Sequence, residues 1–128
     1  MPKVLIAEDT DSLRLDVVKE LQQSGFDVLE ALDGKAGFEL AKSNDDIALI
    51  LTDQNMPNMT GIEMVRALRG VEAHKKTLVV FYTTESKKTF STEAEELNVK
   101  GWLIKPVKAD LVVKTVSKLI SSAAGKVA

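Results

Sequence analysis

The 128-residue sequence contains no cysteine. That absence excludes thiol nucleophiles, disulfide staples and thiolate metal sites, and it fits a reducing compartment. No apolar run approaches the roughly 20 residues that a membrane-spanning helix needs. No leader is visible, because Met1-Pro2-Lys3 runs straight into a strand-length apolar stretch. A cytoplasmic protein without a membrane partner is expected. Net charge is also small, -2, but unevenly spread. Residues 1–86 hold 9 Lys/Arg against 15 Asp/Glu, and residues 87–128 hold 8 Lys against 4 acids. The basic half contains no Arg and spaces its lysines out, so it lacks the concentrated stripe that nucleic acid demands. Such lysines suit a solvated helix face or an acidic protein partner. Linkers, repeats and low-complexity segments are absent too. With 45% apolar residues the chain reads as one globular domain, residues 1–122, followed by a short flexible tail, 123–128.

What is present is an alternation. Five short runs have strand length and β-branched content: KVLIA (3–7), DVLEA (27–31), IALILT (47–52), LVVFYT (78–83) and GWLIK (101–105). Helical spacing fills the gaps. Leu13, Val17 and Leu21 share a face before Gly25, a C-terminal stop. Asp33 is placed to cap a helix running to about Lys42, with Gly37 weakening its middle by about 1 kcal/mol. Thr60 and Glu63 form a capping box with Met59 and Met64 at the staple positions. Phe90, Ala94 and Leu97 mark a fourth helix beginning near Lys87 and Lys88, and Val112, Val116 and Leu119 mark a fifth. Five strand–helix repeats imply an α/β, doubly wound parallel sheet with helices on both faces.

In open sheets of this kind ligands sit beyond the carboxyl ends of the strands. Those ends carry Glu8 and Asp9, then Asp53, then Thr83 and Thr84, then Lys105. Two carboxylates about 4 Å apart repel by about 4 kcal/mol at an effective dielectric of 20, so three in one crevice call for a cation. Hard oxygen ligands without His or Cys suit Mg²⁺. Mg²⁺, a lysine and a hydroxyl are the usual means of holding a phosphoryl group during in-line transfer, which makes Asp53 the natural nucleophile.

At these residues the sequence resembles the receiver domains of two-component response regulators, from Lys3 to about Ile120. The resemblance rests on IAED (6–9), TDQNMPNMTG (52–61), TTES (83–86) and GWLIKP (101–106). It implies a flavodoxin-like (βα)5 fold with strand order 2-1-3-4-5, which sets the first and third strands side by side. It implies that Asp53 accepts phosphate from the phosphohistidine of a sensor histidine kinase. Asp9, Asp53 and the Asn55 carbonyl would bind Mg²⁺, with Glu8 acting through water. Lys105 and the Thr84 N–H would hold the phosphoryl oxygens, and the Lys105–Pro106 bond would be cis. Thr83 and Trp102 would form the switch, and Asn55 and Glu85 would tune the lifetime of the phosphoryl group. The fourth helix, fifth strand and fifth helix would form the output face, including Lys87, Lys88 and Trp102. Three positions depart from the usual pattern: Glu8 stands where Asp is commoner, Trp102 where Tyr or Phe is usual, and Lys108 where a hydroxyl often caps the fifth helix.

The expectation is a stand-alone, monomeric receiver of the chemotaxis type. It would catalyse only its own phosphorylation and dephosphorylation, and would signal through a downstream protein target. The alternative is a phosphorelay intermediate or phosphate sink exchanging with a histidine phosphotransfer domain. Two rivals are weaker. Asp9-Thr10-Asp11 resembles the D-x-D motif of haloacid-dehalogenase-like phosphatases, but no late acidic pair follows Lys105. A flavin-binding domain needs a hydroxyl- and glycine-rich loop after the first strand, where EDTDSLR is acidic. His74, in the charged stretch VEAHKKT, reads as a surface residue rather than a phosphotransfer histidine.

Overall fold

The computed structural model describes the backbone of residues 1–127 and the side chains of residues 1–123. Five strands, β1 (Lys3–Ala7), β2 (Asp27–Ala31), β3 (Ile47–Thr52), β4 (Leu78–Thr83) and β5 (Gly101–Ile104), alternate with five helices. These are α1 (Asp11–Gln23), α2 (Gly34–Lys42), α3 (Gly61–Arg69), α4 (Ser91–Glu96) and α5 (Ala109–Val127). All strand pairs are parallel and the order is β2-β1-β3-β4-β5, as the resemblance implies. No helix among the described residues is long and apolar enough to cross a membrane.

Successive strand residues point to opposite faces, and each face buries its own core. Leu5, Ala7, Ile50, Val79 and Phe81 pack under α2 and α3 with Met64, Val65 and Leu68. Val4, Ile6, Leu49, Leu51, Val80 and Tyr82 pack under α1 and α5 with Val17, Leu21, Val112 and Val116. The central strands are apolar on both sides because both sides are covered.

Local signals act where the spacing places them. Gly25 follows α1 at φ +90°, a left-handed position that an L side chain adopts with strain. The Asp33 carboxylate accepts from Ala36 N at 2.7 Å and caps α2. Thr60 and Glu63 make the reciprocal capping box of α3. Gly37 has a packing reason for its place: a Cβ there would lie 2.6 Å from the Met64 sulfur, so the glycine lets α2 close on α3.

Two expectations are corrected. The fourth helix is shorter than its apolar spacing suggests and starts at Ser91, after a turn that contains Lys87, Lys88 and Phe90. Thr89, Ser91 and Thr92 are weak helix formers, and Phe90, which precedes the helix, has no side-chain oxygen to cap it. The lysines therefore lie in the turn and not at a helix N-terminus. His74 is fully buried in a single 3₁₀ turn, Glu72–His74. Its Nε2 donates to the Ala41 carbonyl at 2.6 Å and its Nδ1 meets the Thr77 hydroxyl at 3.0 Å. Two partners for two ring nitrogens make burial affordable in a loop whose neighbours are charged. The backbone of α5 runs to Val127. The expected tail, 123–128, falls mostly on side chains outside the described residues.

Arg69, at the end of α3, donates from Nε to the Leu97 carbonyl at 2.9 Å and from Nη1 to the carbonyls of His74 and Thr77 at 3.0 and 2.8 Å. Leu97 closes α4, so the C-terminal end of that helix is tied to the α3–β4 connection. Burial holds the Arg69 pKa below the usual guanidinium value.

Gly61, the first residue of α3, sits against the end of β3. A Cβ there would run into the Asp53 carbonyl oxygen and lie 2.7 Å from the Phe81 ring. The collision is with backbone, so no rotamer relieves it. Gly61→Ala is expected to destabilise the protein by about 2 kcal/mol despite the better helix propensity of alanine. Urea denaturation measures this; an unchanged midpoint would mean that α3 slides away from β3 at little cost.

Candidate functional site

The carboxyl ends of β1 and β3 are held together by the ladder itself. Asp53 N donates to the Ala7 carbonyl and Glu8 N to the Ala31 carbonyl, each at 3.0 Å. The residues just past the strands therefore turn into one crevice. Glu8 and Asp53 are buried, 3% and 8% exposed, while Asp9 faces solvent. Glu8, Asp9 and Asp53 each present a carboxylate oxygen within 4.8 Å of the other two.

Lys105 enters from the far side of the sheet. Its Nζ donates to Glu8 Oε1 at 2.8 Å and to Asp53 Oδ2 at 2.9 Å. Its backbone is fixed by its N–H to the Thr83 carbonyl at 2.9 Å, and the Lys105–Pro106 bond is cis. The Tyr82 hydroxyl donates to the Val107 carbonyl at 2.7 Å, and the Tyr82 ring centroid lies 5.4 Å from the ammonium. The other oxygen of Asp53, Oδ1, accepts from Gln54 N at 2.7 Å, and Glu8 Oε2 accepts from Thr10 N at 3.1 Å. Burial pushes the Glu8 carboxyl above the usual carboxylate range, against the opposing pull of Lys105 and the Thr10 N–H. Burial works against the charged form of Lys105, but its hydrogen bonds to Glu8 and Asp53 prevail and hold its pKa above the usual lysine value.

A second group lies beside the acids. Thr83, fully buried at the end of β4, accepts at Oγ1 from Glu85 N at 3.3 Å, and Thr84 is exposed in the same loop. Asn55, exposed after β3, donates from Nδ2 to Glu85 Oε1 at 2.8 Å. Trp102, half-buried on β5, donates from its indole N–H to the Glu85 carbonyl at 2.8 Å. Its ring stacks on Phe81 at 4.6 Å and lies 6.0 Å from Phe90. Glu85 thus joins Asn55 to Trp102, one contact through its side chain and one through its backbone.

The structure brings Glu8, Asp9, Asp53 and Lys105 together and sets Thr83, Glu85, Asn55 and Trp102 in one neighbouring loop system. Lys87 and Lys88 are exposed in the turn beyond it. Two residues of the site escaped the sequence reading. Gln54 is buried; its Oε1 accepts from Ile62 N at 2.8 Å and its carbonyl from Gly61 N at 3.0 Å, so it fixes the loop after Asp53. Arg14 is also buried, and its guanidinium bonds the Glu8 carbonyl. The signal for Arg14 lay in its spacing: it shares a helical face with Val18 and Leu21, a charge in an apolar stripe.

Three carboxylates face one ammonium here, and the oxygen-only donor set fits a hard divalent cation. A doubly wound sheet that gathers such acids where β1 and β3 part to opposite faces defines the class. Residues 4–117 match the response regulator receiver domain. The chain belongs to that family, whose members act in two-component signalling. It is 32% identical to the chemotaxis protein CheY of Pseudomonas aeruginosa over 124 residues, 96% of this chain and 99% of the relative. It is 28% identical to a CheY homologue of Campylobacter jejuni over 125 residues, 97% and 96% of the two chains. The solved structure of Vibrio cholerae chemotaxis protein CheY4 is similar with a TM-score of 0.85 at 35% identity, covering 92% of this chain and 98% of that one.

The raised Glu8 carboxyl sets a pH dependence. A carboxyl that is a weaker acid when folded lends stability below its unfolded value near pH 4.3, and that stability is lost as pH rises through the folded value. Lys105 acts in the alkaline range: its contribution is present below about pH 10.4 and lost as pH passes its raised folded value. Glu8→Gln cannot ionise. In chelator-treated protein the stability of Glu8→Gln relative to wild type is expected to improve as pH rises from the unfolded value, about 4.3, through the raised folded value. Thermal melts across that range measure the difference, and a constant gap would mean that Glu8 titrates alike in both states.

Proposed function

We propose that the protein is a phosphorylation-switched signalling module of the chemotaxis type, cytoplasmic, that takes a phosphoryl group from a sensor kinase phosphohistidine onto Asp53. The observation that carries this reading is the buried Asp53 carboxylate, held through Oδ2 by Lys105 and flanked by the oxygens of Glu8 and Asp9. In the transfer an Asp53 carboxylate oxygen attacks phosphorus, a P–O bond forms, and the P–N bond to the donor imidazole breaks with its electron pair leaving on nitrogen. Asp9, Asp53 and the Asn55 carbonyl, with Glu8 beside them, are the residues to hold Mg²⁺, which supplies charge neutralisation for the phosphoryl oxygens. Lys105 stays protonated well into the alkaline range and exchanges its Asp53 contact for the new phosphoryl oxygens. The Thr84 N–H is a further donor to them.

The buried Thr83 hydroxyl now accepts from Glu85 N. Turning to donate to a phosphoryl oxygen releases that N–H and shifts the loop on which Trp102 is hydrogen-bonded. Asn55 and Glu85, bonded across the mouth of the site, govern access of water and so the lifetime of the acyl phosphate. Trp102, Lys87 and Lys88 carry the change to an output face that suits an acidic protein partner, where peripheral charges chiefly set association rate. The only chemistry the protein performs on this reading is on its own carboxylate.

Acetyl phosphate with Mg²⁺ should add one phosphoryl group to the wild-type protein and none to Asp53→Asn, read by intact mass. Equal labelling of the mutant would move the acceptor elsewhere. Because Trp102 is the sole tryptophan, beryllofluoride should shift the emission of the protein, and Thr83→Ala should blunt that shift. A spectrum that stays constant at full occupancy would make Trp102 a static core residue.

A further inference from the structure

The position of Asp9 is set by backbone. Asp9 is exposed, and the turn that carries it, Glu8 to Thr10, lies beyond the last pair of the β1–β2 ladder. The carbonyl of Glu8, which shares a peptide plane with the Asp9 N–H, points to the interior. Its donor is Arg14 Nη1 at 2.9 Å, a buried hydrogen bond. A planar amide whose carbonyl is fixed has its N–H, and hence the next Cα, fixed as well.

The guanidinium is held in turn on its other two nitrogens. Nη2 donates to Asp11 Oδ1 at 2.7 Å and Nε to Glu30 Oε1 at 3.2 Å. One side chain therefore joins the end of β1, the first turn of α1 and the end of β2, with each of its three nitrogens on a different acceptor. Asp11 and Glu30 raise the Arg14 pKa above the usual guanidinium value, against burial, so the charge is permanent. A lysine carries the charge but not the fork.

We propose that Arg14 is a positioning residue for the divalent cation: its guanidinium fixes the Glu8–Asp9 peptide plane and so the direction in which Asp9 presents its carboxylate. The inference rests on the reading that the acidic cluster holds Mg²⁺. Residues that orient ligands from behind typically change metal affinity by about 10- to 100-fold when altered. Glu30 and Asp11 act one step further back, by holding the fork.

The experiment uses Mn²⁺ as a hard-oxygen probe, with the free ion counted by its electron paramagnetic resonance signal. Arg14→Lys should raise the Mn²⁺ Kd roughly tenfold. Val116→Ala, a cavity in the core between α1 and α5, should lower the melting temperature while leaving the Kd unchanged. In chelator-treated protein, amide relaxation measurements should show new exchange at Asp9 and Thr10 in Arg14→Lys and none there in Val116→Ala. An unaltered Kd in Arg14→Lys, or an equal shift in Val116→Ala, overturns the proposal. Should Arg14→Lys fail to fold, Asp11→Ala/Glu30→Ala must raise the Kd by itself, and an unchanged constant overturns it equally. A wild-type protein that takes up no Mn²⁺ overturns the cation reading beneath it. Metal uptake with no dependence on Arg14 overturns only the role assigned to that residue.

Discussion

One ammonium holds the functional edge of this molecule together. Lys105 bridges two carboxylates that are both nearly closed to solvent, Glu8 at the end of β1 and Asp53 at the end of β3. Carboxylates so close repel by several kcal/mol at an effective dielectric of 20, and an ammonium within 3 Å of both offsets that repulsion. Removing one partner from such an arrangement leaves buried charge uncompensated, which costs about 3 to 5 kcal/mol. The fold devotes much of its connectivity to delivering that lysine. β5 lies at the sheet edge, two strands from β3, and the loop after it is fastened to β4 through Tyr82 and Thr83.

The same fastening couples the site to the surface. Lys105 is bound to the Thr83 carbonyl, the Thr83 hydroxyl to Glu85 N, and the Glu85 carbonyl to the Trp102 indole. Each link is a hydrogen bond between neighbouring loops or strand ends, and none requires a deformation of the packed sheet. If Asp53 takes a phosphoryl group as proposed, the added charge would act along this chain of hydrogen bonds, where differential contacts of a few kcal/mol move populations. Tryptophan at position 102 adds an N–H to the stacked aromatic, and that N–H ties β5 to the loop after β4.

Much of this was legible in the sequence. Strand runs with apolar residues at every position announce burial on both sides, and acids at their ends announce the edge where ligands sit. The capping residues Asp33 and Thr60 stand where the helices begin, because each presents an acceptor to an otherwise unpaired N–H. Strand order came from the resemblance alone, since periodicity carries no information about which strands are neighbours. Two features stayed hidden for physical reasons. His74 is buried by contacts with α2 and Thr77, although its sequence neighbours are charged. Gln54 looks like a loop residue until Ile62 and Gly61 arrive beside it from α3. The shortness of the fourth helix, by contrast, was foreshadowed by Thr89, Ser91 and Thr92, weak helix formers set within its apolar spacing.

The fastening of that short helix has a mechanical consequence. α4 approaches the other elements little, yet its closing carbonyl is gripped by Arg69 while its opening turn, around Phe90, has no side-chain cap. Arg69 holds the closing end from the side of α3, and Phe90 at the opening end lies 6.0 Å from the Trp102 ring, so this short helix links the α3–β4 connection to β5 across β4.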